Sequence, residues 1–313
     1  MSKWVSKLAP YLERFVDLKQ NLGFTYRSQI ATLLALDRFC LQNFPEQTAI
    51  TLEMALAWSK PRSPDERATT ANARISVLRQ LALYIRLSNP DCFVPDISFR
   101  LKKEQFICHI LSDQETERFF TALSQLGNRA NYPHRAKTYQ LFFRLLYCTG
   151  LRPGEALKLN REHVDWKKDS LNILASKGHA KRVVALDGDL AHRMKEYDKS
   201  LPVERLPFFS FDGTVRPSLD SLYRCMKTVW SKANPKSQPP RLYDFRHTFI
   251  TKRILLWHER REDLQNKLPY LMSFVGHTRT EDTLYYFRVV PELCGLLATA
   301  STEDLVPDLG ESA

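Results

Sequence analysis

The sequence predicts a mainly helical protein with a small β-sheet, divided into two domains. Over most of the 313 residues, apolar side chains recur at steps of three and four, as on the buried face of an amphipathic helix. One short stretch alternates apolar and polar residues around a turn, which is the pattern of a β-hairpin. The length exceeds what a single hydrophobic core usually needs, so a second domain is expected.

Four helices are expected in the first part of the chain. The first should end at Gly23, and the third should run from Thr51 to Lys60 because the two prolines of Pro61–Pro64 disfavour helix. The fourth should end before Asn89. The apolar stripes of the other three helices comprise Trp4, Leu8, Tyr11, Leu12 and Phe15, then Ile30, Leu33, Leu34 and Leu41, then Ile75, Leu78, Leu81, Ala82 and Ile85. Beside the last stripe stand three arginines, which form either a solvated face or a phosphate-facing surface: Arg74, Arg79 and Arg86.

An inter-domain linker is expected over residues 89–110. It contains two prolines and the basic run Arg100–Lys103, a composition typical of a connection between domains. We therefore expect a helical domain over residues 1–105, a second domain over 106–290 and a tail over 291–313.

The second domain should combine helices with one hairpin. Ser112 and Glu115 have the spacing of a capping box, so a helix should begin there. The hairpin should lie over residues 171–186, with its turn at Ser176–His179. Further helices are expected over residues 137–148, 188–199, 217–233 and 244–257, and from near Thr280.

The charge of the chain favours a polyanionic partner. The net charge is +11, and clustered Lys and Arg displace condensed counterions from nucleic acid. Membrane surfaces and ribosomes exert the same attraction, so charge alone does not choose among them. No Lys or Arg follows Arg288, whereas five acidic residues do. The tail is therefore expected to contact protein or nothing at all. It could pack on its own domain, but a contact with a neighbouring protomer is favoured.

Composition argues against several other classes of protein. The six cysteines include no C-x-x-C pair, so neither a zinc site nor a disulfide framework is indicated. No metal or cofactor is expected. The sequence lacks a cleavable apolar signal and a run of membrane-spanning length, so we expect a cytoplasmic protein, associated with the nucleoid if its partner is DNA.

Four segments combine residues suited to phosphate chemistry. Taken singly, each has an ordinary structural interpretation, such as a surface arginine, a solvated turn lysine, a helix cap or a core tyrosine. They are Thr149–Glu155 (T-G-L-R-P-G-E), Lys177 in the hairpin turn (S-K-G), Tyr243–Phe249 (Y-D-F-R-H-T-F), and Val275–His277 (V-G-H) with Tyr286 nine residues later.

Together, in this order and spacing, the four segments resemble the tyrosine recombinase (phage integrase) family. That family shows T-G-L-R-x-x-E, a hairpin lysine usually within G-K-G, an H-x-x-R box, and a G-H box with a tyrosine nine residues on. The resemblance covers residues 111–290. Over residues 1–105 it rests only on the helical layout, which is similar to the family's core-binding (DNA-binding) domain, and the second domain would then be the α+β catalytic domain.

The resemblance implies a site-specific recombinase or integrase that cleaves and rejoins double-stranded DNA through a 3′-phosphotyrosyl intermediate. Integration, excision or transposition would follow in a homo- or hetero-tetramer of protomers on DNA. Tyr286 would be the nucleophile, so that neither metal nor ATP is needed. Arg152 and Arg246 would hold the non-bridging phosphate oxygens, Lys177 would protonate the leaving 5′-oxygen, and His277 would hydrogen-bond the phosphate or assist proton movement.

One position departs from the family pattern, because Tyr243 stands where the H-x-x-R box usually has histidine. A protonated tyrosine can donate a hydrogen bond but is a weak base, so reduced or retuned activity is expected. The adjacent Tyr285 should point about 100° away from Tyr286 on a helix and serve in packing.

Two alternatives stay open at this point. One is a type IB topoisomerase-like relaxase that uses the same residues. The other is a catalytically weakened or inactive DNA-binding protein descended from a recombinase, for which Tyr243 would be a symptom of decay.

Overall fold

The computed structural model describes residues 4–102, 108–174 and 181–289, with side chains up to 287. Two predictions from the sequence lie outside the described residues: the hairpin turn over 176–179 with Lys177, and the tail over 291–313. The chain divides into two compact units, Met1–Phe106 and Ile107–Ala313. Among the described helices, none has both the length and the apolar character that crossing a membrane requires.

The first unit is built from helices that enclose one apolar core. Of the four α-helices among its described residues, the last packs against the other three. The buried stripe of that helix, Leu78, Leu81, Ala82 and Ile85, therefore lies at the centre of the core. A 3₁₀ turn, Ile97–Phe99, follows. The helices are α1 (Ala9–Asn21), α2 (Arg27–Asn43), α3 (Leu52–Ser59) and α4 (Ala68–Arg86).

Arg74 differs from both interpretations that the sequence allowed for it. Its side chain is buried and donates to the carbonyl oxygens of Trp58 and Lys60 and to the carboxylate of Glu66. These bonds close the segment after α3 onto α4. Arg74 is therefore a structural residue of this unit, because its guanidinium is spent on the chain's own acceptors.

Over its described residues, the second unit combines eight α-helices with a three-stranded antiparallel sheet, which confirms the predicted fold class. The sheet has the order β1-β2-β3, and the hairpin predicted from the sequence forms β2 and β3, with Leu171 opposite Val184. The strands are β1 (Val164–Asp165), β2 (Ser170–Ile173) and β3 (Arg182–Ala185). The helices are α5 (Asp113–Ser124), α6 (Arg135–Thr149), α7 (Pro153–Leu157), α8 (Gly188–Lys199), α9 (Leu219–Ala233), α10 (Asp244–Glu259), α11 (Leu264–Val275) and α12 (Glu281–Val289).

Helix α10 lies against α6 and α11 and thereby brings distant segments together. Phe245 at its start packs edge-on against Phe119 and near Phe143 in the main core. Farther along, Ile250 and Ile254 join a second cluster with residues of α11 and α12. The polar residues between these two apolar anchors are consequently held at fixed positions.

Helix α11 was not predicted from the sequence. Pro269 lies inside it, and a proline cannot donate the backbone hydrogen bond of a helix interior. The helix nevertheless forms, because Asp263 caps its first turn through two backbone N–H groups and because Leu271 and Val275 are buried against the neighbouring helices.

Gly150 ends α6 in the left-handed conformation, at φ +61°. A Cβ at this position would lie 2.5 Å from Cδ1 of Phe249. We expect Gly150→Ala to lower the free energy of unfolding by about 2–4 kcal/mol, from backbone strain and overpacking together. Urea denaturation checks this, with Gly188→Ala as the control because a Cβ there meets nothing within 4 Å. Equal midpoints for the two variants would contradict the expectation.

Candidate active site

Arg246 lies at the centre of the candidate site. The first turn of α10 carries it inward until only 1% of its surface is exposed. Its guanidinium donates to the carbonyl oxygen of Gly150 at 2.8 Å and to that of Val275 at 2.7 Å. These carbonyls belong to the C-terminal ends of α6 and α11, where the helix dipoles favour a cation. Arg246 therefore ties together the ends of two helices.

Arg152 follows Gly150 directly and binds the same region. It donates to the carbonyl oxygen of Gly276 at 3.0 Å and to Glu155 at 3.1 Å. Burial lowers the pKa of Arg246, and the charge of Arg152 lowers it further, to about 10. With a pKa of about 10, Arg246 is charged at neutral pH. Its guanidinium and that of Arg152 are therefore two cations held close together.

Glu155 accepts hydrogen bonds from two arginines, Arg152 and Arg182. Arg182 forms a two-pronged ion pair with Glu155, at 2.7 and 3.0 Å, and also donates to the carbonyl oxygen of Phe274. Burial would raise the pKa of Glu155, but the hydrogen bonds and charges of Arg182 and Arg152 outweigh it and lower that pKa to about 2. The carboxylate is therefore ionised throughout the physiological range.

His277 follows the left-handed Gly276 that ends α11, so the turn that Arg152 and Arg246 hold also carries this imidazole. Its Nδ1 lies 2.7 Å from the hydroxyl of Thr283. Its ring is nearly parallel to that of Tyr286, with centroids 6.4 Å apart.

Tyr286 is buried, with 2% of its surface exposed. Burial raises its pKa well above the ordinary value, although the charge of Arg246 opposes this shift. Tyr285 is only partly buried; burial raises its pKa, and Cys108 raises it further. The two neighbouring tyrosines of α12 thus meet different surroundings, as helix geometry predicts.

His247 is a residue of the site that was not predicted from the sequence. Its Nδ1 lies 2.9 Å from the hydroxyl of Tyr286. Burial lowers the pKa of His247. The charge of Asp244 raises it again in part, but the charges of Arg241 and Arg246 lower it, and the pKa is about 4. The ring is therefore neutral at pH 7. A signal was present in the sequence, because position 247 is one helical turn after position 243 and shares its face.

Tyr243 stands at the start of α10 with 39% of its surface exposed. Its ring lies 5.5 Å from that of His247. It lines a cleft of about 870 Å³ together with Arg152, Arg241 and Leu174. The cleft therefore opens beside one of the two clustered arginines, next to the end of the hairpin strand β2.

The structure thus brings together four of the six residues singled out in the sequence around the turn that follows α11: Arg152, Arg246, His277 and Tyr286. Tyr243 lies at the edge of this group, and Lys177 belongs to the connection between β2 and β3, outside the described residues. Among the described residues, no group of three or more His, Cys, Asp or Glu side chains could hold a metal ion.

Comparison with known proteins agrees with this arrangement. The sequence matches the phage integrase family over residues 110–292, which is more than half of the chain and contains the whole candidate site. The chain belongs to the phage integrase family. It is thereby a tyrosine recombinase, a type of enzyme that breaks and rejoins DNA.

Two relatives of this recombinase come from Sinorhizobium fredii and are named as integrase/recombinase proteins. The protein y4rB is 26% identical over 296 residues, covering 90% of this chain and 93% of the relative. The protein y4rE is 27% identical over 312 residues, covering 95% and 97%. Both alignments include the first unit as well as the second.

Solved structures of recombinases share the fold. XerH site-specific recombinase bound to its palindromic difH substrate gives a TM-score of 0.66 at 18% identity, covering 94% of this chain and 84% of that one. The Tn1549 transposon integrase in complex with transposon right end DNA gives 0.62 at 14% identity, covering 92% and 99%. A lambda integrase dimer bound to a core site gives 0.64 at 14% identity, covering 88% and 94%.

Proposed function

We propose that this chain is a site-specific DNA recombinase that cleaves and rejoins double-stranded DNA through a 3′-phosphotyrosyl intermediate on Tyr286. The observation that carries the proposal is the convergence of Arg152, Arg246, His277 and Tyr286 on the turn after α11. These residues come from three of the four segments singled out in the sequence, and each is of a type that phosphoryl transfer needs.

The two arginines supply the electrostatic part of the reaction. A phosphodiester under attack gathers negative charge on its non-bridging oxygens, and fixed planar donors stabilise that charge best. Arg246 and Arg152 are fixed by the helix-end carbonyls that they bind. Two cations held together in this way favour an anionic group between them, so the DNA phosphate is the expected occupant.

The nucleophile, the leaving group and their protons complete the mechanism. The Tyr286 hydroxyl gives up its proton to a base as its oxygen attacks phosphorus, the bond to the 5′-oxygen breaks, and the 5′-oxygen takes a proton. We assign that proton to Lys177, from the connection between β2 and β3, and a hydrogen bond to the phosphate to His277. The bond energy is kept in the phosphotyrosine, so rejoining follows by attack of a 5′-hydroxyl in reverse.

The proposed function also includes a role for the first unit and an assembly of several protomers. We infer that the helices of the first unit form the core-binding domain on the DNA, and that recombination takes place in a tetramer of protomers. The basic net charge of the chain supports DNA as the partner. The chain is similar to DNA-bound recombinases over both units, which supports the proposal that both units act on DNA.

The first prediction concerns the nucleophile. The chain selects its binding site from a random pool of duplexes, and the selected duplex is then nicked at successive positions to trap the cleaved state. We expect wild-type protein to form a covalent adduct that survives denaturing electrophoresis in the presence of a chelator, and Tyr286→Phe to form none. The reason is that phenylalanine keeps the packing of α12 but lacks the attacking oxygen.

Tyr285→Phe is the matched control and should keep the adduct, because Tyr285 adjoins the nucleophile but faces Cys108. An adduct that depended on Tyr285 would place the nucleophile one residue earlier. Specific binding without an adduct from any nick would favour a DNA-binding protein that has lost cleavage.

A further inference from the structure

The hydroxyl of Tyr286 is hydrogen-bonded to an imidazole that the reaction as described above does not use. His247 Nδ1 is 2.9 Å from that hydroxyl, and the ring centroids are 5.6 Å apart. His247 comes from the second turn of α10, directly after Arg246, so the arginine that is to hold the phosphate and the imidazole at the nucleophile are fixed by the same turns of helix.

We propose that His247 is the general base of cleavage, and that its Nδ1 accepts the proton of the Tyr286 hydroxyl as that oxygen attacks the DNA phosphate. The proposal rests on the proposed function, since it takes Tyr286 to be the nucleophile. It assigns a catalytic role to a side chain that touches the reacting atom.

The protonation states of the two groups suit this role. The ring of His247 is neutral at pH 7 and so has one acceptor nitrogen, whereas the buried Tyr286 hydroxyl keeps its proton until it reacts. We therefore assign the hydroxyl as donor and Nδ1 as acceptor. The groups that face His247 come from its own segment and from α12. They are Asp244, Arg241, Arg246 and Tyr243, and the two tyrosines of α12.

The protons balance over the complete cycle. During cleavage the O–H bond of Tyr286 breaks, the oxygen–phosphorus bond forms, and His247 becomes an imidazolium while the 5′-oxygen departs with a proton from a separate acid. During rejoining a 5′-hydroxyl attacks phosphorus and returns its proton to the separate acid, while the tyrosine oxygen leaves and takes back the proton held by His247. A base at position 247 would also compensate for the tyrosine at position 243, where the family usually has histidine. Tyr243 and His247 lie one turn apart on the same face of α10.

The decisive experiment separates proton acceptance from positioning. His247→Asn retains an amide oxygen that accepts a hydrogen bond but cannot hold the proton. We expect this variant to cleave the nicked duplex about 100-fold or more slowly than wild type, the size of a lost general base. His258→Asn, an exposed histidine of the same helix, should cleave at the wild-type rate.

Two further measurements distinguish the base from other roles. On a duplex with a 5′-phosphorothiolate at the cleaved bond, whose sulfur leaves without a proton, the defect of His247→Asn should persist, because the nucleophile still has to lose its proton. A second measurement replaces Tyr286 by 3,5-difluorotyrosine, a more acidic phenol that needs less help from a base. With this nucleophile the ratio of the wild-type cleavage rate to that of His247→Asn should fall about tenfold. This recovery also shows that the variant is folded.

The outcomes are distinct. A wild-type chain that forms no adduct dependent on Tyr286 overturns the proposed function itself. If wild type forms the adduct and His247→Asn cleaves within a few-fold of the wild-type rate, the proposed function holds but His247 is not the general base. A defect that vanishes on the phosphorothiolate would assign His247 to the leaving group and equally overturn the proposal.

Discussion

Arg246→Lys should abolish most DNA cleavage and also weaken the fold. Lysine keeps the positive charge, but its single ammonium cannot reach two carbonyls on different helices and also present a planar donor to phosphate. We expect the cleavage rate to fall by about 10²–10³, as when one preorganised donor is lost. The free energy of unfolding should fall by about 1–3 kcal/mol, because one buried carbonyl, of Gly150 or Val275, loses its partner.

Single-turnover cleavage of the nicked duplex and urea denaturation measure the two effects. Arg193→Lys is the control for stability, because this arginine is exposed and its ion pair with Asp189 can be made by lysine. Wild-type stability in Arg246→Lys would mean that the bonds to the two helix ends do not support the fold. Wild-type cleavage would remove Arg246 from the proposed phosphate site.

Much of the fold followed from patterns in the sequence, because the local signals agreed with the tertiary packing. The Ser112–Glu115 capping box begins α5 as predicted, and the alternation around residues 171–186 forms the hairpin. The helix predicted over 188–199 has those bounds. In the first two cases residues that define the pattern also stabilise the fold, since Ser112 and Glu115 cap the helix and Leu171 and Ile173 fill the core.

The exceptions have physical causes. Pro269 concealed α11, since its cost to a helix is visible in the sequence whereas the packing that compensates for it is not. Arg74 resembled a surface cation, because its acceptors, two backbone carbonyls and Glu66, come together only in the fold.

The candidate site shows the same division. Motif order indicated Arg152, Arg246, His277 and Tyr286, but it could not show what holds the arginines in place. The helical spacing of positions 243 and 247 was a signal for His247, but it could not show the contact with Tyr286, which joins residues 39 positions apart. Lys177 remains a prediction from the sequence.

Glu155→Gln tests the support beneath Arg152. The carboxylate lies between Arg152 and Arg182 with 6% of its side chain exposed, and glutamine has nearly the same shape without the charge. Since the pKa of Glu155 is lowered to about 2, its ionisation stabilises the folded chain by about 3 kcal/mol at pH 7. We expect the variant to lose about that much free energy of unfolding. Its cleavage rate should fall on the order of 10- to 100-fold, because Arg152 is no longer held in one orientation.

The pH dependence gives this prediction its sign. A carboxylate with a depressed folded-state pKa contributes stability that is present above its unfolded value, near 4.3, and is lost as the pH falls toward about 2. The difference in unfolding free energy between wild type and Glu155→Gln should therefore be constant from pH 7 to about 5 and shrink below pH 4. Glu117→Gln, an exposed position on α5, should show no such difference. If the difference in unfolding free energy between wild type and Glu155→Gln were as large at pH 3 as at pH 7, Glu155 would contribute its shape rather than its charge between the two arginines.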